Sequence, residues 1–223
     1  MNQGAPPHDT AADAASIRGF QRQLLQWYDD HGRDLPWRRT RDPYRILVSE
    51  FMLHQTQVER VIPKYHEWLQ QYPTFEALAA APVDDVKALW RPLGYYFRAE
   101  RLHQIAHVVT QTCRGRLPDT VDELIVLPGV GRYTAGAILS FAFHKDAPIV
   151  DTNVRRVLRR LFGVPGNPLR AAANKRIWQL AEAILPPGKA YVFNQALLDF
   201  GALLCLLHRE AVSVEHEAHV KTR

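Results

Sequence analysis

Two acidic residues occupy positions where a carboxylate is unusual, and the first is Glu50. It lies in the stretch YRILVSEFMLHQTQV, where its helical neighbours are Ile46, Leu47 and Leu53. Side chains three and four positions apart share a helix face, so Glu50 points into a largely apolar face. Burial of a glutamate is costly and raises its pKa, which suits a general acid that stays protonated near neutral pH. The alternative is a solvated glutamate at the helix edge.

The second unusual acidic residue is Asp151, which lies in the stretch PIVDTNVRRVLRRLFG. It follows an apolar pair and precedes a helix, so it could serve only as a helix N-cap. The helix that it opens carries four arginines, which predict a phosphate-facing surface: Arg155, Arg156, Arg159 and Arg160. An acid at the edge of such a surface is poorly placed to bind DNA and needs another role. A carboxylate close to a nucleotide can stabilise positive charge that develops on a deoxyribose.

A tight turn precedes an apolar helix in LPGVGRYTAGAIL, residues 127–139. Gly129 and Gly131 permit backbone conformations that side chains forbid, and they let a ligand approach the backbone. The N–H groups at the start of the second helix point outward at the positive end of its dipole. Such a place binds an anion, for example a DNA phosphate. The alternative is an ordinary helix–helix corner that uses glycine as a cap.

The elements that must position these residues are helical throughout, and no segment alternates with period two for long enough to be a strand. The fold class is therefore all-α. A first helix carries Ile17, Phe20 and Leu24 and ends at Gly32, and another holds Val61 and Tyr65. Short helices are predicted in FEALAAAP and VDDVKALW, and the others cover roughly 44–57, 96–113, 120–126, 132–143, 152–162, 170–185 and 189–206. Residues 1–14 are predicted to be a disordered lead and 207–223 a polar tail.

Composition narrows the class of protein. The chain has 223 residues, 47% of them hydrophobic, and a net charge of +5, which fits a polyanionic partner or simply a basic soluble protein. Two cysteines, Cys113 and Cys205, are too few for a disulfide framework or a four-thiolate metal site. There is no apolar run of 18 residues and no signal-peptide pattern at the N-terminus. We therefore expect a cytoplasmic, nucleoid-associated protein.

Several motifs together resemble one family. LPGVGRYTAGAIL followed by IVDTNVRRVL resembles the helix–hairpin–helix base-excision DNA glycosylases related to endonuclease III. SEFMLHQTQVERVIP, LGYYFRAERL and FNQALLDFGALLC are similar to the adenine DNA glycosylase (MutY) branch. The likeness covers residues 15–206. It implies two helical domains with a DNA-binding cleft. The first is a barrel over 33–146 with the hairpin motif at about 120–143, and the second combines 15–32 with 147–206. The target nucleotide would be flipped out of bent DNA.

The resemblance also assigns catalytic roles. Glu50 matches the acid that protonates N7 of adenine and later activates water. Asp151 matches the carboxylate that stabilises the oxocarbenium-like sugar, and Asn153 matches a polar group that orients the pair. Tyr133 occupies the position where lyase members carry a nucleophilic lysine. Because a phenol cannot form a Schiff base, the resemblance implies a monofunctional enzyme.

Other matches concern DNA. Gln55 and Tyr95 match residues that wedge into the duplex, and His54 stands where glutamine is commoner in the family. Gln195 matches a polar residue near the base pocket. The remaining residues of the predicted DNA-binding set are Arg38, Gly129, Gly131 and Arg132. The expected partner is double-stranded DNA with a mismatch or lesion, bound by a monomer without a membrane.

Two features depart from the family. Members usually hold an iron–sulfur cluster with four cysteines near the C-terminus, but here only Cys205 matches, and we expect no cluster and no metal. The resemblance leaves room for a monovalent cation at the hairpin carbonyls. His208, His216 and His219 are interpreted as solvated tail residues. The chain also stops where the adenine branch continues into a domain that inspects oxidised guanine.

Three functions remain in competition. The leading hypothesis is a monofunctional mismatch-specific DNA glycosylase that removes adenine opposite guanine or 8-oxoguanine. The second is a thymine or uracil mismatch glycosylase, which Glu50 argues against because a pyrimidine has no N7 to protonate. The third is a non-catalytic binder of DNA structure. The joint presence of Glu50, Tyr133, Asp151 and Asn153 argues against that alternative.

Overall fold

The computed structural model describes residues 14–168 and 170–205, and that part of the chain contains helices and no strand. The expectation of an all-α fold is therefore confirmed. The predicted lead lies outside the described residues apart from Ala14, which begins the first helix, and the predicted tail lies wholly outside them. The α-helices are α1 Ala14–His31, α2 Pro43–Leu53, α3 Val58–Gln71, α4 Phe75–Ala80, α5 Val83–Trp90, α6 Phe97–Thr112, α7 Val121–Leu124, α8 Arg132–Phe141, α9 Thr152–Leu161, α10 Ala171–Ala183 and α11 Ala190–Leu203.

The helices form two compact units, and the chain passes from one unit to the other between Gly32 and Arg33 and again between Ile149 and Val150. Unit 2 is continuous and runs from Arg33 to Ile149. Its central helix is α2, which packs against α3, α6 and α8. Every α2 residue from Ile46 to Met52 is buried, because the helix has neighbours on several sides. A side chain on α2 is therefore fixed by the packing of the whole unit.

Buried hydrogen bonds add order to the aromatic core of unit 2. The Trp68 indole N–H donates to the Tyr44 hydroxyl at 3.1 Å, and that hydroxyl donates to the Tyr72 carbonyl at 2.6 Å. The Tyr44 side chain is thus satisfied at both ends of its polar tip. These bonds tie the start of α2 to the end of α3.

The helix–hairpin–helix motif is formed by α7, the turn that follows it, and α8. Residues Thr134 to Phe141 of α8 are all buried. A Cβ added at Gly136 would lie 2.4 Å from the Pro148 carbonyl oxygen, so α8 can lie against the end of the unit only because this position lacks a side chain. The hairpin is therefore anchored by a tightly packed second helix.

Unit 1 is discontinuous. Its described residues are 14–32, 150–168 and 170–205, and α11 packs against both α1 and α9. Phe20 of α1 makes edge-to-face contacts with Phe162 and Phe193, at ring-centroid distances of 5.4 and 6.2 Å. Trp27 meets Phe200 in the same way at 5.3 Å. The core of this unit thus needs residues from both ends of the chain.

One helix boundary differs from the sequence-based prediction in a way that matters for the site. The helix predicted over 44–57 ends at Leu53. His54 has φ −58° and ψ 108°, and Gln55 has φ 56°, so the chain leaves the helix sharply. No described helix combines the length and the apolar character that a membrane crossing requires.

Candidate functional site

Glu50 lies on the central helix of unit 2. Its side chain is 4% exposed, and its helical neighbours Ile46 and Leu47 are buried as well. This excludes the alternative of a solvated glutamate at the helix edge. A carboxyl group in such surroundings is costly to ionise unless it is matched by partners. The position is typical of a functional carboxylate rather than of a solubilising one.

Asp151 is the N-cap of α9, which was one of the two roles that the sequence suggested for it. Its Oδ1 accepts a hydrogen bond from the Val154 N–H at 2.7 Å, and its Oδ2 accepts one from the Asn153 side-chain amide at 3.0 Å. Burial raises the pKa of the Asp151 carboxyl group, whereas these hydrogen bonds and the charge of Arg156 act against that rise. The side chain is half-buried.

Asn153 is itself held by a further contact. Its Oδ1 accepts from Arg156 Nη2 at 2.5 Å, and the same Arg156 nitrogen donates to the Gly201 carbonyl at 3.1 Å. A Cβ at Gly201 would lie 2.8 Å from the Asn153 Cβ and 2.9 Å from its carbonyl oxygen. Helix α11 therefore approaches closely enough to orient Asn153, which in turn orients Asp151. Sequence reasoning assigned no role to Arg156 or Gly201 in this arrangement.

The four arginines of α9 all make hydrogen bonds within their own unit. Each guanidinium donates to backbone carbonyls of its own unit, because the helix ends and loops around α9 leave carbonyls without helical partners. The acceptors are Pro168 for Arg155, Gly201 for Arg156, Gly166 for Arg159 and Cys205 for Arg160. These bonds orient the four half-buried guanidinium groups, and the phosphate-facing surface stays a prediction.

The two hairpin glycines have different conformations. Gly129 has φ 80°, in the left-handed region, and a Cβ there would lie 2.7 Å from Cδ of Arg101. Gly131 has φ −95° and ψ 178°, which any residue adopts, and a Cβ there would meet nothing within 4 Å. The backbone argument from the sequence therefore holds for Gly129 and is wrong for Gly131. Gly131 is the N-cap of α8, without a capping side chain, and Arg132 beside it is exposed.

Tyr133 is half-buried in the first turn of α8. Its ring centroid lies 6.4 Å from that of His54, and His54 stacks on Phe51 at 5.8 Å. His54 Nε2 is also 3.5 Å from the Thr134 hydroxyl. Burial lowers the pKa of His54, and the charge of Arg98 lowers it further. The start of α8 is thus brought against the end of the helix that carries Glu50.

Gln55 and Tyr95 lie in two separate loops of unit 2. Both side chains are exposed, and both residues have positive φ, at 56° and 51°. Tyr95 is followed by Tyr96 and Phe97, and each of these three aromatic side chains is about half exposed. Exposed side chains on strained backbone suit residues that must protrude.

Arg98, which was not identified from the sequence, touches both loops. Arg98 is 4% exposed and donates to the carbonyls of His54 and Gly94. A signal for it existed, because Arg98 falls at helical spacing on the apolar stripe of α6 that contains Leu102, Ile105 and Val109. A charged residue on a buried stripe indicates a specific polar partner.

Two further predicted residues, Gln195 and Arg38, make hydrogen bonds within their own units. Gln195 is buried in α11, and its Oε1 accepts from the Tyr28 hydroxyl at 2.9 Å. Arg38 is half-buried and donates to the Arg33 carbonyl at 2.8 Å. Tyr28 is a second contact that the sequence analysis did not identify.

The described residues contain no group of three or more histidine, cysteine or carboxylate side chains that could hold a metal ion. Cys205, the residue that matches a cluster ligand by sequence, is buried with its Sγ 3.2 Å from Nη1 of Arg160. His208, His216 and His219 lie outside the described residues. The expectations about cluster and cation stay predictions.

Comparison with curated proteins gives consistent similarities. The chain is 42% identical to adenine DNA glycosylase of Rattus norvegicus over 212 residues, which are 91% of this chain and 41% of the relative. It is 42% identical to the Homo sapiens enzyme of the same name, covering 90% and 38%. The Mycolicibacterium smegmatis relative is also 42% identical, and the match covers 90% of this chain and 68% of that one. The chain thus spans about two fifths of the mammalian relatives that it matches.

Solved structures share the fold. A thermostable thymine-DNA glycosylase matches with a TM-score of 0.80 and 36% identity, over 86% of this chain and 90% of that one. A non-covalent endonuclease III–DNA complex matches with a TM-score of 0.74 and 25% identity, over 89% and 88%. Residues 48–183 match the family described as "HhH-GPD superfamily base excision DNA repair protein". Since that match covers more than half of the chain, this protein belongs to the HhH-GPD superfamily of base excision DNA repair proteins.

Proposed function

We propose that this chain is a monofunctional DNA N-glycosylase that removes adenine mispaired with guanine or 8-oxoguanine. The observation that carries the proposal is Glu50, a carboxyl side chain only 4% exposed on the central helix of unit 2. Adenine leaves more easily once its N7 is protonated, and that step needs an acid at the base. The 42% identity to adenine DNA glycosylases over 90% or more of the chain supports the same assignment.

The proposed chemistry begins with the acid. Glu50, as the neutral carboxylic acid, gives its proton to N7 of the flipped adenine. The bond between N9 and C1′ breaks, and its electron pair leaves with the base. Water then adds to C1′ and passes a proton to the Glu50 carboxylate, which restores the acid. Every proton is accounted for by one side chain and one water molecule.

Asp151 has the complementary role. Loss of the base leaves positive charge on the sugar, which a nearby carboxylate stabilises. The hydrogen bonds from Val154 and Asn153 fix the direction in which the Asp151 oxygens point. A carboxylate fixed before the reaction does not need to reorient as the charge develops.

DNA contacts are assigned to unit 2. The α8 N-terminus, with Gly131 as N-cap and Arg132 exposed beside it, suits a backbone phosphate. The exposed Gln55 and Tyr95 suit insertion into the duplex once the target base has left the stack. The similarity to an endonuclease III–DNA complex supports this surface.

A second candidate function also has a specific observation in its favour. The chain is 36% identical to a thermostable thymine-DNA glycosylase, with a TM-score of 0.80. Release of thymine or uracil opposite guanine would use Asp151 in the same way, but it gives Glu50 no N7 to protonate. The buried acid therefore favours adenine.

The test uses duplexes that carry one A, T or U opposite G or 8-oxoguanine, with strand breaks revealed by alkali. We expect release of adenine alone, loss of release in Glu50→Gln, and wild-type release in the control Glu59→Gln, whose parent residue is exposed on α3. Release of thymine or uracil without adenine would establish the second candidate. Tight binding of mismatched duplex without any base release would establish a non-catalytic binder.

The monofunctional assignment has its own test. Tyr133 offers no amine, and the neighbouring Arg132 stays protonated and is a poor nucleophile. We expect an intact abasic strand before alkali and no covalent adduct with borohydride. An adduct formed in the same yield as base release would mean that a lysine acts as nucleophile.

A further inference from the structure

Arg98 is a buried cation with an unusual set of partners. It lies in the first turn of α6 and is 4% exposed. Within residues 14–168 and 170–205 no carboxylate pairs with it, although a buried charge ordinarily needs a counter-ion. Carbonyl oxygens, a hydroxyl and aromatic faces take the place of the counter-ion. The guanidinium group of Arg98 is therefore held by the geometry of its hydrogen bonds rather than by charge pairing.

The partners of Arg98 come from two separate loops. Nη1 shares its two N–H groups among the carbonyl oxygens of Phe51, Met52 and His54, and it lies 3.3 Å from the Thr56 hydroxyl oxygen. Nη2 lies 3.2 Å from that hydroxyl oxygen and 3.1 Å from the carbonyl oxygens of both Leu93 and Gly94. One guanidinium plane therefore joins the loop after α2 to the loop before α6.

These loops are the ones that carry Gln55 and Tyr95. Four of the six acceptor residues lie within two positions of one or the other: His54, Thr56, Leu93 and Gly94. The guanidinium carbon also lies 5.4 Å from the centroid of the Tyr95 ring. Both protruding residues have positive φ, which a side chain adopts only where surrounding contacts hold it. Arg98 supplies those contacts to both residues together.

We propose that Arg98 is a positioning residue that makes the Gln55 and Tyr95 loops one rigid, two-pronged wedge for DNA. This inference rests on the proposed function, because it requires these two side chains to enter a duplex. Arg98 touches no substrate in this scheme. It acts through the backbone of the loops, so that both prongs hold the same spacing when DNA arrives.

Lysine cannot replace this arrangement. An ammonium group is a point charge with three donors, whereas the flat guanidinium spreads its donors over two carbonyl clusters and stacks on an aromatic face. Arg98→Lys retains the charge and breaks the bridge. Arg60→Lys is the matched control, because Arg60 is exposed and donates to one carbonyl, that of Pro92, without reaching the Gln55 loop.

The first experiment measures distortion of DNA without requiring catalysis. A duplex with 2-aminopurine beside a mismatched adenine reports unstacking by a rise in fluorescence at saturating protein. We expect wild type and Arg60→Lys to give the full rise and Arg98→Lys to give a small fraction of it. Affinity for undamaged duplex should change less than about twofold, because phosphate contacts carry that binding.

The second experiment measures coupling under single turnover. Arg98→Lys should slow base release about ten- to hundredfold, as misplacement by about an ångström does. Gln55→Ala should then cost much less in the Arg98→Lys background than in wild type, since the wedge has already lost its position. A merely structural Arg98 would lower the melting temperature and the active fraction but leave the rate per active molecule and the full Gln55→Ala effect intact, which would overturn the inference.

A third variant covers loss of folding. If Arg98→Lys gives no folded protein, Thr56→Val decides, because it removes one acceptor and keeps the side-chain shape. A reduced 2-aminopurine rise in Thr56→Val supports the inference, and an unchanged rise overturns it. Wild type that unstacks DNA but releases no base would overturn the proposed function alone. Wild type that gives no rise would overturn the wedge, whatever base it releases.

Discussion

Glu50 and Asp151 lie in different surroundings, because Glu50 belongs to a helix that is buried along most of its length, whereas Asp151 is a half-buried helix N-cap. Around Glu50, helix α2 is buried from Ile46 to Met52. Around Asp151, the Val154 N–H and the Asn153 side-chain amide donate directly to the carboxylate, and Arg156 donates in turn to the Asn153 side-chain oxygen. Burial raises the pKa of Asp151, whereas the two donors and the charge of Arg156 act against that rise and favour the charged form.

The largest effect should come from removing either carboxylate. Asp151→Asn keeps the N-cap, because asparagine caps helices as well as aspartate does, so the melting temperature should stay close to that of wild type. We expect Asp151→Asn and Glu50→Gln each to slow single-turnover base release on the order of 10³-fold, with binding of mismatched duplex retained. A normal rate in Asp151→Asn would reduce Asp151 to a helix cap.

Close packing of α11 against Asn153 should also matter for Asp151. Gly201→Ala places a Cβ 2.8 Å from that of Asn153 and 2.9 Å from its carbonyl oxygen, so α9 and α11 must move apart. We expect a loss of about 1–3 kcal/mol in the free energy of unfolding, together with slower base release. Gly19→Ala on α1 is the control in the same unit, since a Cβ there meets nothing within 4 Å. Equal stability of the two variants would contradict the packing seen here.

Arg156 acts on the charge state of Asp151. Its positive charge favours the ionised form of Asp151, so Arg156→Met should raise the pKa of Asp151 and shift the acid limb of the pH–rate profile to higher pH. At pH values below the acid limb, base release by Arg156→Met should be slowest relative to wild type. Near neutral pH we expect base release by Arg156→Met to be about ten- to hundredfold slower than in wild type, because a hydrogen bond to a charged group contributes ~1.5–3 kcal/mol.

Arg156→Lys is the control for Arg156→Met, because it keeps the charge. It should leave the pH profile close to that of wild type while the rate falls. An acid limb that stays in place in Arg156→Met would show that the hydrogen bond to Asn153, and not the charge, is what Arg156 contributes.

The smallest effect concerns the hairpin beside the Glu50 helix. A Cβ at Gly129 would lie 3.5 Å from the Phe51 ring and 2.7 Å from Cδ of Arg101, at φ 80°. We expect Gly129→Ala to cost about 1–2 kcal/mol of unfolding free energy, whereas Gly131→Ala should stay within about 0.5 kcal/mol. Denaturant unfolding of both variants decides the matter. Similar losses in the two would mean that Gly131 is also conformationally restricted.

The local sequence pattern was sufficient to predict several features of this fold. The apolar spacing in the chain predicted the all-α class, and the neighbours of Glu50 predicted its burial. The proline and glycines before Arg132 predicted the turn that leads into α8. Each of these follows from residues within a few positions of one another, where helical periodicity and turn chemistry are decisive.

Contacts between distant segments could not be predicted in this way. Helix α2 ends at Leu53 although no glycine or proline stops it, and the carbonyls of Phe51 and Met52 are bonded by Arg98, more than 40 positions away. The carbonyls that the α9 arginines reach could not be predicted either, because a charge pattern does not reveal which carbonyls a fold will leave open. The role of Gly201 likewise depends on α11 meeting Asn153.

The discontinuity of unit 1 has a consequence for how the chain acquires its structure during synthesis. Residues 33–149 form a continuous unit, so all its partners have been made once Ile149 leaves the ribosome. Helix α1 precedes the other described helices in the chain, yet its packing partner α11 ends at Leu203. The α1 segment must therefore keep Phe20, Leu24 and Trp27 unpaired with their native partners while more than a hundred further residues are added. Although α1 precedes the other described helices, it is thus among the last of them to be buried, and its apolar stripe stays open to chaperones or to aggregation in the meantime.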